Sequence, residues 1–160
     1  MYRFLTLLLV FSLLPFQFGC DSSSSSLPSS SNLAHVEDDN DDMEAAIKKA
    51  TVTFGYFEAN WEKASSAGVK IGMDTTDDSV EHIWFSPTKI EGNKITARCM
   101  NEPVNIPNLK IGDERTVDKS RVSDWMILEG RKCFGGYTIR VLSKLEPENA
   151  PPFEFQDIPE

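Results

Sequence analysis

The sequence has few histidines and cysteines, and its basic residues are outnumbered by acidic ones. Its 160 residues include two histidines and three cysteines, and 25 acidic residues outnumber 16 lysines and arginines, for a formal net charge of −9. A nucleic-acid-binding protein needs a basic face to neutralise phosphates, so this balance argues against nucleic acid as a partner. The same deficit argues against electrostatic docking on anionic lipid.

The short motifs of common catalytic sites are also missing. The sequence has no nucleophile elbow, phosphate-binding loop or metal-binding triad, and no Ser–His or Cys–His pair has local support. The folded region offers only His82, Cys99 and Cys133 as candidate metal ligands, and their spacing is not that of a zinc site. We therefore predict neither a metal nor another cofactor.

The apolar stretch at the start of the chain is too short to span a membrane comfortably. Phe4–Phe18 is uncharged over 15 residues, whereas a membrane-spanning helix needs about 20. Its length and the preceding Arg3 fit a secretory signal peptide over residues 1–19. Gly19-Cys20 then resembles a bacterial lipoprotein signal, in which Cys20 is lipidated and becomes the new amino terminus. The alternative is an ordinary signal peptide that leaves Cys20 as a thiol.

Residues 20–42 are predicted to be the lipid anchor and a flexible linker. Serine and acidic residues dominate this segment, and it has too little apolar surface to offset its ordering entropy. A flexible chain of this length spans about 25 Å on average. We therefore expect a lipoprotein of the bacterial cell envelope, on the periplasmic or outer face of a membrane, with its domain held clear of the lipid.

A long amphipathic helix is predicted next, from about Met43 to Ala64. Its apolar residues recur at spacings of three and four, and Gly68 ends the segment. The stripe comprises Met43, Ala46, Ile47, Ala50, Phe54, Phe57, Trp61 and Ala64. We interpret it as a core face that covers a sheet.

Short β-forming runs separated by turn residues follow the helix. These predicted strands are Val69–Met73, Val80–Ser86, Thr88–Ile90, Lys94–Met100, Arg115–Asp118, Trp125–Leu128 and Lys132–Phe134. Turns at Gly92-Asn93 and Glu129–Arg131 would close two hairpins. The predicted fold class is α+β, with the N-terminal helix packed on a bent antiparallel sheet.

The end of the chain permits two interpretations. Thr138 is a competent N-cap for a short C-terminal helix that reaches about Lys144 and stops before Pro147, which is the prediction we favour. The alternation of apolar residues after Gly136 would also fit a strand. Residues 146–160 form an acidic, proline-rich tail that we expect to be flexible, although its two phenylalanines could dock on the domain or on a partner.

Five motifs in a fixed order identify a family resemblance. They are Glu81-His82-Ile83-Trp84, Asn101-Glu102-Pro103, Ile111-Gly112-Asp113, Ser123-Asp124-Trp125-Met126 and Gly135-Gly136-Tyr137-Thr138-Ile139-Arg140. In this order they resemble the bacterial domain of unknown function 2314 (DUF2314), over residues 43–145. The resemblance implies one compact α+β domain, and it implies no particular activity.

Two cysteines remain if Cys20 carries a lipid. A disulfide between Cys99 and Cys133 is permitted in an exported protein. The alternative is that both are small buried hydrophobic residues.

The candidate ligand site lies at Gly135–Arg140. Free amides at a helix start, together with Arg140, would form a small anion-binding corner. The alternative is a tight strand-to-helix turn in which Arg140 pairs with Asp124 or with a surface acid. The full set of ligand-binding candidates is Trp84, Trp125, Gly135, Gly136, Tyr137, Thr138 and Arg140.

Three functions are compatible with these residues. We expect a tethered binding domain for an unknown protein or small ligand around the tryptophan and Gly135–Arg140 surface. A hydrolase-like enzyme would instead use His82 and Asp124 as acid-base groups and Arg140 to hold an anion. His82 could equally be hydrogen-bonded within the sheet, and Asp124 could cap backbone amides. An immunity or inhibitor protein would use its acidic surface against a basic partner.

Overall fold

The computed structural model describes residues 41–159, which form two α-helices and one seven-stranded sheet. The helices are α1 (Asp41–Asn60) and α2 (Tyr137–Leu145). The strands are β1 (Ser66–Asp74), β2 (Val80–Glu91), β3 (Lys94–Cys99), β4 (Glu114–Asp118), β5 (Val122–Glu129), β6 (Lys132–Gly135) and β7 (Glu154–Gln156). The predicted signal peptide, Cys20 and nearly all of the linker lie outside the described residues.

Helix α1 is the predicted amphipathic helix, slightly shifted. Acidic residues occupy its first turn, where the positive end of the helix dipole favours them. Its buried side is the predicted stripe, with Met43, Ala46, Ala50, Phe54 and Phe57. The α-helix ends at Asn60 and continues as a single 3₁₀ turn. No helix within residues 41–159 is both long and apolar enough to cross a membrane.

The strand order across the sheet is β4-β3-β2-β1-β5-β6-β7, so β1 lies at its centre. The first five neighbouring pairs are antiparallel, whereas β6 and β7 are parallel. The α+β class is confirmed, and the purely antiparallel arrangement is corrected to a mixed sheet. Val80–Glu91 is one strand rather than two, because an irregularity in its pairing with β3 accommodates Pro87, which has no N–H to donate.

Side chains of the sheet and of both helices form two hydrophobic clusters. The larger one packs beneath α1 and includes Phe57, Phe85, Trp125 and Tyr137. The smaller one contains Trp84, Met126, Leu128, Cys133 and Ile139, with Phe153 and Phe155 packed against it. The tail supplies those two phenylalanines and strand β7, so they dock on the domain, which is the alternative that the sequence left open beside a flexible tail.

Both cysteines of the folded region are free and buried, which is the second of the two alternatives. Cys99 lies on β3 and Cys133 on β6, with β2, β1 and β5 between their strands. Neighbouring strands are about 4.8 Å apart, so this separation is far beyond the reach of a disulfide.

Candidate functional site

The Gly135–Arg140 corner is built where strand β6 stops halfway along β5. Gly135 pairs with Met126, and Gly136 N–H then donates to the Trp125 carbonyl at 2.7 Å. Both glycines have positive φ, 76° and 61°. A Cβ on Gly135 would lie only 2.3 Å from the Trp125 carbonyl oxygen, so no larger residue fits there. The chain turns sharply at this point, and α2 begins beside Asp124.

The amides at the start of α2 bind the carboxyl group of Asp124. Tyr137 N–H donates to Oδ1 at 3.1 Å and Thr138 N–H donates to Oδ2 at 2.8 Å. The Thr138 hydroxyl donates to the same Oδ2 at 2.7 Å, and Trp125 N–H donates to Oδ1 at 2.8 Å. The predicted anion position is therefore occupied by an acidic side chain of the protein itself. Thr138 lies in the first turn of α2 rather than at its N-cap, which is Gly136.

Asp124 is an internal anchor with no exposed surface. Burial raises the pKa of its carboxyl group, while the Thr138 hydroxyl, the positive charge of Lys70 and the backbone amides of Thr138 and Trp125 oppose that shift. Lys70 lies directly opposite Asp124 on β1, and its Nζ donates to Thr138 Oγ1 at 3.3 Å. Lys70 thus donates a hydrogen bond to the Thr138 hydroxyl, which in turn donates one to Asp124. The sequence left Asp124 as an acid-base group or as a cap of backbone amides, and in the structure it caps backbone amides.

Arg140 extends away from Asp124, toward residues 151–159, which contain β7 and are called the C-terminal segment below. Its Nη2 donates to the Gln156 carbonyl at 2.5 Å, and its Nη1 lies 3.5 Å from Asp157 Oδ1. Its Nε donates to the Gly135 carbonyl at 3.1 Å. Arg140 therefore pairs with a surface acid, which is one of the two partners that the sequence left open.

His82 forms a hydrogen bond to Ser123, across the central strand. The distance from His82 Nδ1 to Ser123 Oγ is 2.8 Å, and the Ser123 hydroxyl also lies 3.3 Å from the Lys70 carbonyl. Gly72 on β1 pairs with His82, and a Cβ there would be 3.3 Å from the imidazole. The pair was missed because 41 residues separate its members. His82 is half-buried in the sheet, and Ser123 occupies the irregularity in the β1–β5 pairing.

The predicted aromatic surface needs correction, because the tryptophans are core residues. Trp84 is 5% exposed and Trp125 is fully buried. The Trp125 ring packs against Phe57 and Tyr137, and its Nε1–H donates to the Ala50 carbonyl at 3.0 Å. Among the predicted ligand-binding residues with side chains, only Arg140 keeps partial exposure, at 22%. Within residues 41–159, no three His, Cys, Asp or Glu side chains are grouped as metal ligands.

Comparison with known proteins supports the family resemblance. A family model described as "Uncharacterized protein conserved in bacteria (DUF2314)" matches residues 40–154. The chain is 29% identical over 107 residues to the uncharacterized protein YegJ of Escherichia coli K12, covering 66% of this chain and 70% of that protein.

A second relative is a putative ankyrin repeat protein of Neisseria meningitidis serogroup B. It is 29% identical over 119 residues, and the match covers 68% of this chain but only 47%, about half, of that protein. No solved structure matches the chain significantly. Because the family match includes most of the sequence, this chain belongs to the DUF2314 family of uncharacterised bacterial proteins.

Proposed function

We propose that this chain is a binding domain held at the bacterial cell envelope by a lipid on Cys20. The proposal is supported by the order of segments: an apolar stretch, Gly19-Cys20, a serine-rich and acidic linker, and then a folded domain that begins at Asp41. A lipid on Cys20 would keep the domain near the membrane, and the linker would let it meet partners there.

Binding is favoured over catalysis by one observation, the enclosure of Asp124. The hydrolase alternative requires Asp124 to share a water-accessible cleft with His82 and Arg140. Asp124 has no exposed surface, and both of its oxygens accept hydrogen bonds from the protein. A carboxyl group in this state has no access to a substrate, so its role is structural.

The side of the corner away from Asp124 faces the C-terminal segment. Arg140 already holds a backbone carbonyl, a carboxylate and an aromatic ring there, since its Cζ lies 5.1 Å from the Phe155 ring centroid. These are the contacts with which a binding domain recognises peptide segments. We therefore place the binding function at Arg140 and the neighbouring strand β6.

Metabolic labelling with palmitate tests the tether. The wild-type chain should incorporate the label, and Cys20→Ala should abolish incorporation. Cys99→Ala is the matched control, because it removes a buried thiol and should leave labelling unchanged. Absence of label in the wild type, or equal labelling of Cys20→Ala, would overturn lipid anchoring.

Affinity capture with the chain that follows the predicted signal peptide tests the binding function. Arg140→Ala should lose the captured partner while circular dichroism shows a folded domain. Arg98→Ala removes an exposed arginine on β3 and should retain the partner. Binding that is unchanged in Arg140→Ala and weakens steeply as the salt concentration rises would instead favour the immunity alternative. A hydrolytic activity that is lost in His82→Ala would favour the enzyme.

A further inference from the structure

Strand β6 has an outer edge that a very short strand covers. β6 pairs with β5 on one side, and on the other side only the three residues of β7 add to it, in parallel. Glu154 N–H donates to the Arg131 carbonyl at 2.8 Å at the start of this pairing. Main-chain pairing of this kind accepts many sequences, which is why exposed sheet edges serve as peptide-binding sites.

The side chains of the segment pack beside that edge. We define the β6 groove by the residues that line it: Arg131, Cys133, Gly136 and Arg140. Phe155 pairs with Cys133 and packs against Gly136, where an added Cβ would lie 3.5 Å from its ring. Phe153 meets Phe155 edge to face, with 6.2 Å between ring centroids. Alternate positions of the segment thus fill the groove with aromatic surface.

Basic side chains at both ends of the groove face acidic side chains of the segment. Arg131 Nε lies 3.2 Å from Glu154 Oε1, and Arg140 Nη1 lies 3.5 Å from Asp157 Oδ1. The groove is basic at both ends and the segment is acidic, so the two are complementary. Because the Asp157 side chain is 90% exposed, its ion pair contributes little to holding the segment in place.

The backbone pairing of the segment is short, and its apolar contacts come from Phe153, Phe155 and Ile158, which are all partly exposed. Its ladder has three residue pairs, its ion pairs lie at the surface, and prolines 147, 151 and 152 separate it from α2. Segments with short ladders and partly exposed side chains open locally without unfolding the domain. The family match ends at residue 154, so most of β7 lies beyond the region that matches the family.

We propose that the β6 groove is a strand-addition site for an extended segment of a partner protein, and that the C-terminal segment of this chain is its built-in competitor. The partner segment carries two aromatic residues at alternate positions and an acidic residue two positions after the second. This inference deepens the proposed binding function, and it does not depend on Cys20 or on a membrane.

Fluorescence anisotropy with a labelled peptide tests the proposal. The probe has the sequence of residues 151–159, and the protein is the whole chain after the predicted signal peptide. Phe155→Ala in the protein loosens its own segment and leaves the groove intact. It should bind the probe at least about tenfold more tightly than the wild type, because a tethered competitor acts at roughly millimolar effective concentration.

Two matched variants locate the interaction. Phe155→Ala combined with Arg140→Ala should lose the probe, and Phe155→Ala combined with Arg98→Ala should keep it. A probe with alanine in place of its second phenylalanine should not bind. Equal binding by Phe155→Ala and wild type, or binding that is independent of Arg140, would overturn the proposal.

Hydrogen exchange of the wild-type protein gives a second test that does not depend on a variant folding. Backbone amides of residues 154–156 should exchange through local opening, well before those of β5. Exchange of these amides only on global unfolding would show that the segment is a fixed part of the domain, and would refute the proposal. A concentration-dependent dimer that Phe155→Ala abolishes would assign the groove to the C-terminal segment of a second copy. That result would overturn the proposal that the groove binds a different protein.

A negative peptide result together with successful Arg140-dependent capture would refute only the strand-addition site. The proposed binding function would then stand without it.

Discussion

Replacing Asp124 by alanine should destabilise the fold more than any surface acid does. The substitution removes the acceptor of three backbone N–H groups and of the Thr138 hydroxyl, all at the junction of β5 and α2. These donors lie where water does not reach the carboxyl group, because Asp124 has no exposed surface. Each donor left buried without a partner costs free energy, and the start of α2 loses its capping group.

The magnitude follows from the number of donors and from the burial. An unsatisfied buried donor costs about 1–3 kcal/mol, and removing the desolvated carboxyl group returns part of that cost. The expected loss for Asp124→Ala is about 3–5 kcal/mol, the range for removing one partner from a buried charged network. Asp124→Asn keeps one acceptor oxygen and should lose about 2–3 kcal/mol. For a domain of this size, the larger loss lowers Tm by roughly 10–20 °C.

Urea denaturation followed by tryptophan fluorescence and far-ultraviolet circular dichroism measures this loss. Asp74→Ala is the matched control, since Asp74 is an exposed acid paired with Arg121, and its removal should change the free energy of unfolding by no more than about 1 kcal/mol. An Asp124→Ala variant as stable as Asp74→Ala would refute the idea that Asp124 anchors α2. Loss of stability with an unchanged m-value would support it.

Three further predictions follow from the same region. Burial raises the pKa of the Asp124 carboxyl group, so the native state binds the carboxyl proton more tightly than the unfolded chain does. The excess stability of wild type over Asp124→Asn should therefore grow as pH falls from 7 toward 4. An excess that shrinks would mean that the hydrogen bonds to Asp124 lower its pKa by more than burial raises it. Gly135→Ala places a Cβ against the Trp125 carbonyl and should lower the free energy of unfolding by at least about 3 kcal/mol. Gly130 has a similar positive φ but open space around it, so Gly130→Ala should lower that free energy by about 1 kcal/mol. Equal losses of stability in chemical denaturation would contradict the steric argument. Burial raises the pKa of the Cys133 thiol to about 12. Its reaction with a thiol reagent at pH 8 should therefore be at least about a hundredfold slower in the native protein than in urea. Equal rates in the two states would exclude a protected thiol.

The His82–Ser123 pair remains the part of the sheet that the proposed function does not use. Its two side chains form a hydrogen bond across β1, and Ser123 lies where the β1–β5 pairing is irregular. A hydroxyl at such a position supplies a hydrogen bond to the Lys70 carbonyl that the regular ladder would otherwise make. The position of the Ser123 hydroxyl is therefore explained by the pairing of the sheet.

The sequence alone was sufficient for the elements that depend on near neighbours. Helix α1 is marked by an apolar stripe with a period of three to four residues, and the β5–β6 hairpin by the turn around Gly130. The resemblance to DUF2314 also came from residues in order along the chain, and the family match confirms it. Such features can be predicted because the forces that produce them act within a few residues.

Strand β7 and the continuity of β2 were missed for the opposite reason. β7 has only three residues, and its pairing partner β6 lies about twenty residues earlier in the chain. Pro87 predicts a strand break by its lack of an N–H, yet β2 passes through it because β3 pairs with the residues before and after it, whereas the pairing with β1 already ends at Phe85. Sheet pairing between distant segments has no local signal of comparable strength.

The sequence thus determined which residues at Gly135–Arg140 have special demands, and the tertiary structure decided what satisfies them. Two adjacent glycines and an arginine indicate a tight turn with a place for an anion. Only the strand order brings Asp124 to the start of α2, and only the return of the C-terminal segment brings Asp157 to Arg140. The reason is physical: conformational preferences belong to single residues, whereas the partner of a buried polar group is set by the packing of segments that are distant in the chain.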